Sequence, residues 1–288
     1  MRDRPLVILK MRSFFLFIIL MILFGLNLPH EGYGGTIGTG ILCRPTVEGP
    51  GKIGLGVEIL NTGNETAYNM TATIFLAEWF YRYDDLGDNP PHGRIPLNIQ
   101  YHNPKMKPGS YVGVIRVSFE EQGGRPHTVY YFFEVSHLLD QADDYKPHMT
   151  LRLTTPLFNT KALWVSGGKS RLFMRNDHTG ILRPTVIFYL PDGFTTREPE
   201  RLYELSPGQE RGDTIPLIRD PSVRQDQIYH VVAWYEHKGV HYSHHIEGQI
   251  KVVERPFLFK AYVIMCIGIL VIVFLILFFY DRKKKGRN

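Results

Sequence analysis

Apolar and polar positions alternate along the middle of the chain. Leu55, Val57 and Ile59 are separated by a glycine and a glutamate, and the segment 70–76 repeats the same period of two. Runs of this kind, rich in β-branched residues and bounded by Gly, Pro and Asn, are typical of half-buried strands. No stretch between the two ends of the chain has a helical period with caps, so the pattern predicts an all-β protein built from sandwiches.

Two continuous apolar runs interrupt this pattern, one near each end. The first, 14–28, follows four basic residues and is shorter than the roughly 20 residues of a spanning helix. It predicts a signal peptide over 1–35 that is cleaved near Gly34 or Gly35, with an uncleaved anchor as the alternative. The second run is uncharged over 261–280 and predicts a single C-terminal transmembrane helix over 257–280, for which a transient sorting signal is the alternative.

Most of the excess positive charge lies at these ends. The formal net charge is +5, and the tail 281–288 alone holds five basic residues. Such a tail is typical of the cytoplasmic side of a membrane protein, which places the region 36–256 in the periplasm or outside the cell. That region is close to neutral by its own composition. The charge pattern therefore predicts membrane association and argues against nucleic-acid binding.

An internal repeat divides the extracytoplasmic region. The aligned pairs are 51–52 with 168–169, 62–63 with 179–180, and 107–110 with 206–209. Each copy is about 100 residues long, which is the size of a domain and not of a solenoid unit. The repeat predicts two tandem Ig-like β-sandwich domains, over 36–140 and 141–255, which meet at the charged segment 138–147.

The turn after the first strand of the first copy resembles a known family. The sequences N-T-G and A-Y-N over 61–69, with K-P-G at 107–109, are similar to the tandem Ig-like domains of the CARDB (cell-adhesion-related) type, found in bacterial and archaeal surface proteins. The second copy has H-T-G and S-P-G but lacks A-Y-N. The resemblance implies an Ig-like sandwich that serves as a spacer or binding module, and it brings no catalytic residues.

Individual residues of this turn carry further predictions. We expect Gly63 to take a positive φ and Asn61 to hydrogen-bond its own backbone. Asn64 and Asn69 both satisfy the N-glycosylation acceptor pattern, in a segment so rich in Asn and Thr that such matches arise easily by chance. Glycosylation is left open, and the predicted strand position of Asn69 makes it the poorer acceptor.

Five histidines lie between positions 230 and 245 and suggest a metal site, since histidine is the commonest metal ligand. The dipeptide Lys238-Gly239 in this segment is predicted to form a hairpin turn. The strand partners that follow are Glu236 with His241, Val232 with His245, and His230 with Glu247. The pairing puts these six side chains on one face of the hairpin.

This pairing argues against a metal ion held by several histidines. His241 and His245 are four residues apart on one strand, or roughly 13 Å, whereas an ion lies about 2 Å from each nitrogen. A different register brings His237 near His241, and that pair is the alternative metal site. The sequence otherwise predicts no metal, no cofactor and no catalytic residues, because the nucleophile-elbow and zinc-protease motifs do not occur in it.

A short aromatic strand is the other candidate for binding. Trp79, Tyr81 and Tyr83 fall on one face of this strand and Phe80 falls on the other. An exposed aromatic face is suited to sugar rings or to a partner protein. The alternative interpretation is that the second face packs on the proline-rich loop 87–96.

The two cysteines are separated by the predicted topology. Cys266 lies in the predicted span and Cys43 opens the first domain, so no intrachain disulfide is expected. Cys43 is predicted to be a buried small hydrophobe. A homodimer linked through Cys43 is the alternative.

These features predict a single-pass cell-membrane protein that is not an enzyme. Its ectodomain is expected to act as an adhesion, scaffold or accessory module for envelope or membrane proteins. The alternative is a ligand-binding surface protein, which takes metal at the histidine hairpin or carbohydrate at the Trp79 strand.

Overall fold

The computed structural model describes residues 37–76, 78–137, 148–160, 168–254 and 265–275. The strands of its first half are β1 (Thr39–Gly49), β2 (Lys52–Asn61), β3 (Tyr68–Leu76), β4 (Trp79–Tyr83), β5 (Arg94–His102), β6 (Gly109–Glu120) and β7 (Pro126–His137). The strands of its second half are β8 (Met149–Leu153), β9 (Leu157–Asn159), β10 (Gly168–Asn176), β11 (Thr185–Tyr189), β12 (Phe194–Thr195), β13 (Glu200–Leu202), β14 (Glu210–Arg219), β15 (Gln227–His237) and β16 (Val240–Val253). A helix covers 265–275.

Several predicted segments fall wholly or partly outside the described residues. They are the signal peptide 1–35, the domain boundary 138–147, the transmembrane helix 257–280 and the tail 281–288. Within the part of the chain that the structure describes, no helix is both long and apolar enough to cross a membrane. The signal peptide and the membrane topology therefore stay predictions from the sequence.

The first sandwich packs a three-stranded sheet, in the order β1-β2-β5, against four strands in the order β4-β3-β6-β7. Alternate positions of each strand face the core, as the period of two predicts. The buried side chains are Ile53, Leu55, Val57 and Ile59 on β2, and Met70, Ala72, Ile74 and Leu76 on β3. The alternation in the sequence thus sets which face of each strand is buried.

The second sandwich repeats this connectivity. Its sheets have the orders β8-β10-β14-β12 and β13-β11-β15-β16, and β9 pairs with β16. The strands β8, β10, β11, β13, β14, β15 and β16 hold the places of β1 to β7 in the same chain order, which is an Ig-like connectivity. The predicted all-β class and its sandwich arrangement are confirmed.

A buried asparagine closes the turn after β2. The side-chain amide of Asn61 donates to the carbonyls of Glu65 and Asn89, at 2.7 and 2.8 Å. Its side-chain oxygen accepts from the backbone N–H of Gly63 at 3.0 Å, so the predicted contact of Asn61 with its own backbone is confirmed. The prediction for Gly63 is wrong, because the left-handed residue in this region is Asn69, with a φ of 52°.

Asn176 plays the same part in the second sandwich. It is buried at the end of β10, and its amide donates to the carbonyls of Gly180 and Leu205 at 2.8 and 2.9 Å. Its side-chain oxygen accepts from the backbone N–H of His178 at 2.8 Å. Asn176 is therefore the counterpart of Asn61, and the predicted alignment of the two repeats around these turns is out by two residues.

The predicted match of 107–110 with 206–209 is also wrong. The first segment leads into β6, which pairs with β3 and β7 in a four-stranded sheet. The second leads into β14, which pairs with β10 and is the counterpart of β5. The segment 206–209 is a turn closed by the N–H of Gln209 donating to Ser206 at 3.0 Å, whereas Gly109 is already the first residue of β6. The shared Pro-Gly therefore does not mark equivalent positions.

The two sandwiches lie within one compact unit that starts at Ile37. The outer face of the sheet β4-β3-β6-β7 packs on the outer face of the sheet β13-β11-β15-β16. Val112 and Val114 of β6 point away from the first core and contact Val232 of β15. Partly buried aromatic residues pack around this contact, namely Phe75, Tyr130, Phe132 and Tyr189. We call this contact region the seam.

The backbone joins the two sheets at one end of the seam. The N–H of His241 donates to the carbonyl of Pro108 at 2.9 Å, next to a parallel bridge between His241 and Gly109. A Cβ on Gly109 would lie 2.0 Å from the carbonyl oxygen of His241, so only glycine permits this approach. Lys107 and Glu236 form an ion pair across the same joint.

Candidate ligand-binding cleft

A cleft of about 810 Å³ opens beside this joint, between the two sandwiches. The first sandwich lines it with Trp79 of β4, Tyr101 of β5 and Tyr111 of β6. The second sandwich lines it with Trp234 of β15 and His241 of β16. Aromatic rings from both domains therefore form the walls of one site.

The rings of the cleft contact one another in two groups. The ring centroids of Trp79 and Tyr101 are 4.8 Å apart, with the planes tilted by 55°. His241 stacks with both Tyr111 and Trp234, at centroid distances of 4.0 and 5.7 Å and interplanar angles of 6° and 19°. These contacts hold the rings in place before any ligand arrives.

Charged side chains of both signs face the same cleft. Glu78 and Lys107 come from the first sandwich, and Arg183 and Glu236 come from the second. Lys107 pairs with Glu236, and the Nε of Arg183 lies 2.8 Å from a carboxylate oxygen of Glu204. A few fixed polar groups on an aromatic wall are the ordinary composition of a small-molecule site.

His241 is a neutral member of this wall. Its side chain is 4% exposed, and burial lowers its pKa to about 4, while Glu236 raises this pKa and Lys107 lowers it further. Its Nε2 lies 2.8 Å from the hydroxyl of Ser243. At neutral pH the imidazole therefore acts as a stacked ring with one hydrogen-bond partner and carries no charge.

The predicted aromatic strand contributes to the cleft through one residue. Trp79 lines the cleft, and it packs with Tyr83 against the core of the first sandwich. Tyr81 lies between them, with ring centroids 6.0 Å from Trp79 and 4.8 Å from Tyr83, and is 44% exposed. Phe80, on the other face, is the most exposed ring of the strand at 64%.

The histidine hairpin has the predicted register. Lys238 and Gly239 both have positive φ, of 48° and 80°, as a tight two-residue turn requires. The pairs Glu236–His241, Val232–His245 and His230–Glu247 are all observed. The alternative metal pair is not brought together, because the ring of His237 lies 4.1 Å from that of His178 whereas His241 lies in the cleft.

Sequence reasoning missed a closer group of side chains of the types that ligate metals. The Nδ1 of His230 lies 3.0 Å from the Nε2 of His245 and 3.7 Å from a carboxylate oxygen of Glu247. Burial lowers the pKa of both imidazoles, against a partial opposing effect of Glu247, so both rings are neutral at neutral pH. His230 and His245 are diagonal neighbours on paired strands, about 7–8 Å apart in the backbone, and the predicted register already contained this diagonal.

Cys43 and the two asparagines that match the glycosylation pattern lie in the first sandwich and do not line the cleft. Cys43 is half-buried on β1 against the first core, and burial raises the pKa of its thiol to about 11. Asn69 is exposed on β3, and its side-chain amide donates to Glu120 at 3.0 Å. Asn64 is exposed in the turn before β3.

Comparisons with known protein families and with curated proteins gave no match. Red sea bream transglutaminase is 8% identical over 76% of this chain and 31% of its own, with a TM-score of 0.25. A Porphyromonas gingivalis W83 protein of unknown function is 14% identical over 74% of this chain and 99% of its own, with a TM-score of 0.32. E. coli alpha-2-macroglobulin is 8% identical over 76% of this chain and 17% of its own, with a TM-score of 0.30. This chain thus spans less than a third of the transglutaminase and of the macroglobulin, and likenesses this distant assign no function to it.

Proposed function

We propose that this protein is a membrane-anchored, non-catalytic binding module of the cell envelope, and that it holds a carbohydrate in the cleft between its two sandwiches. The observation that carries the proposal is the meeting of Trp79 and Trp234, from different domains, in one cleft of about 810 Å³. A ligand bound there contacts both sandwiches at once, which suits a module that recognises an extended surface polymer.

The chemistry of the walls fits a sugar. The apolar face of a pyranose ring stacks on aromatic side chains, and its hydroxyl groups need both donors and acceptors. The cleft offers rings at Trp79 and Trp234, an acceptor at Glu78 and donors at Asn103 and Arg183. An apolar ligand would remove water from these polar groups without replacing its hydrogen bonds, and a highly charged ligand would meet both signs of charge.

Two sequence features support the remaining parts of the proposal. The resemblance of the first sandwich to CARDB-type domains favours a binding or spacer role over catalysis. The predicted signal peptide 1–35, span 257–280 and basic tail 281–288 favour a tether that holds both sandwiches outside the cytoplasm, where a surface glycan or an envelope protein is accessible.

The test is glycan binding by the purified full-length chain. We would screen an array of surface glycans and measure the strongest by isothermal titration calorimetry. Trp234→Ala and Trp79→Ala should each weaken binding at least about tenfold, because each removes a stacking surface. Phe80→Ala is the matched control, since Phe80 neighbours Trp79 on β4 but is 64% exposed and does not line the cleft.

Two results would count against the proposal. One is the absence of binding across the array, which would leave the protein-partner hypothesis to be tested by crosslinking in the native membrane. The other is a glycan whose affinity is unchanged by both tryptophan substitutions, because such a glycan binds elsewhere.

A further inference from the structure

A second group of polar side chains lies at the seam, farther along the hairpin than the cleft. We propose that His230, His245 and Glu247 form a binding site for a divalent transition-metal ion of the zinc type. Among the residues that the structure describes, this is the group of three whose ligand atoms converge, all lying within 4.8 Å of one another. The site is independent of the cleft, with which it shares no residue.

The distances suit one ion. Zinc lies about 2.0–2.1 Å from a histidine nitrogen, so two ligands of a tetrahedral ion are roughly 3.3 Å apart. The separations of His230 Nδ1 from His245 Nε2 and from the Glu247 oxygen, 3.0 and 3.7 Å, lie on either side of that value. The ligand atoms of His245 and Glu247 lie within 4.8 Å of each other, so the Glu247 carboxylate has to move towards His245 for all three atoms to reach coordination distance.

The ligand types are those of an open zinc site. Two neutral imidazoles and one carboxylate bind zinc in sites that keep a further position for water or another ligand. Nitrogen-rich sites of this kind also take copper, which binds more tightly than zinc in the general order of affinities. The chemistry argues against calcium and magnesium, which prefer oxygen ligands alone.

The first sandwich holds the two imidazoles in place. Phe132 of β7 lies 4.3 Å from the ring of His245, nearly parallel at 11°, and 4.4 Å from the ring of His230. A ring packed on both ligands limits their rotation, which favours a preformed site. Glu247 is different, because its side chain is 62% exposed and is able to move onto the ion.

Two other arrangements compete with this assignment. The first is a plain hydrogen bond between His230 and His245, with no ion involved. The second is a metal bound at His148, His178 and His237, whose ring centroids lie 4.8 Å (His148 to His178) and 4.1 Å (His178 to His237) apart. In that group Nδ1 of His178 already accepts the backbone N–H of Gly180 at 2.8 Å, which leaves one nitrogen of that ring for an ion.

The experiment is a zinc titration of the purified full-length chain, first freed of metal with a chelator that is then removed. Calorimetry gives stoichiometry and affinity, and the visible spectrum after Co²⁺ addition reports the coordination geometry. Glu247→Gln and His245→Gln test the proposed site. His237→Gln tests the competing histidine group, and His92→Asn is the control for an exposed histidine, since Asn tolerates its φ of 62°.

We expect one zinc ion per chain and a tetrahedral or five-coordinate Co²⁺ spectrum. Glu247→Gln and His245→Gln should each weaken zinc binding at least about tenfold, while His237→Gln and His92→Asn leave it within about twofold. Glu247 is exposed, so its variant tests the site even if His245→Gln fails to fold. No stoichiometric binding, or a loss caused by His237→Gln and not by Glu247→Gln, would overturn the proposal.

Discussion

The imidazole of His241 lies flat on the phenol ring of Tyr111, with centroids 4.0 Å apart and planes within 6° of parallel. The two residues belong to different sandwiches, so the stack is part of what holds the domains together. The N–H of His241 also donates to Pro108 at 2.9 Å. One buried residue of β16 thus contributes a ring, a backbone donor and a cleft wall to the seam.

The first prediction concerns acid. Because burial lowers the pKa of His241 from 6.5 to about 4, the unfolded chain binds this proton more readily than the folded chain. The stability that depends on the neutral ring is complete above pH 6.5, falls as the pH drops towards 4, and amounts to about 3 kcal/mol. Urea unfolding of the full-length chain at several pH values measures this loss.

His241→Phe is the matched variant for this experiment. Phenylalanine keeps a ring beside Tyr111 and Trp234 but cannot bind a proton, so the unfolding midpoint of the variant should fall less steeply between pH 6.5 and 4. A slope remains in the variant, because burial also lowers the pKa of His230, His244 and His245, and of His137 and His178. If the unfolding midpoints of the wild-type protein and of the variant fall equally steeply with pH, the loss of stability in acid does not come from His241.

The second prediction concerns the buried asparagines. Asn61→Asp replaces the amide that donates to Glu65 and Asn89 by an oxygen that faces their carbonyl oxygens. The loss of these two hydrogen bonds from a buried side chain should lower the free energy of unfolding by about 2–5 kcal/mol. Asn98→Asp, at an exposed position on β5, makes the same chemical change and should have little effect. Equal effects in chemical denaturation would show that Asn61 does not hold the turn.

The third prediction concerns a glycine packed under an aromatic ring. A Cβ on Gly113 of β6 would lie 2.1 Å from the ring of Phe133, so Gly113→Ala must displace a buried side chain. The expected cost is about 1–3 kcal/mol, measured as a lower Tm. Gly123→Ala is the control, because its nearest neighbour lies 3.8 Å away in a flexible side chain. A Tm equal to that of the control would mean that Phe133 moves without cost.

The fourth prediction concerns the thiol of Cys43. Its pKa of about 11, against an ordinary value of 9.0, lowers the thiolate fraction at neutral pH about 100-fold. Labelling by iodoacetamide should be slower by a similar factor in the folded chain than in the chain unfolded by urea, as read by mass spectrometry of the Cys43 peptide. Equal labelling rates would show an accessible thiolate, and would strengthen the hypothesis of a Cys43-linked homodimer.

Features set by neighbouring residues could be predicted well from the sequence. The alternation on β2 and β3 predicted which side chains are buried, because successive side chains of a strand point to opposite faces. The turn at Lys238-Gly239 predicted the whole register of β15 and β16, since a two-residue turn determines every later pair. Asn61 was correctly expected to hydrogen-bond its own backbone.

The errors concern which residues of the two repeats occupy equivalent positions, because those residues lie far apart in the chain. The sequence comparison aligned 62–63 with 179–180 because both segments look like turns. The equivalent buried residues Asn61 and Asn176 show that the correct alignment differs from this one by two residues. Pro-Gly at 107–110 and 206–209 was matched although the two segments lead into different sheets. Turn residues report local backbone shape and carry no information on which sheet follows.

By itself the sequence determined the all-β class, the strand faces and the hairpin register, because these depend on side-chain periodicity and on turn chemistry within a few residues. Only the tertiary structure decided that Trp79 and Trp234 share a cleft, and that Phe132 packs on His230 and His245. These contacts join the outer faces of sheets that belong to different domains. Which outer faces meet depends on how the two complete sandwiches fit together, and no local sequence pattern determines it.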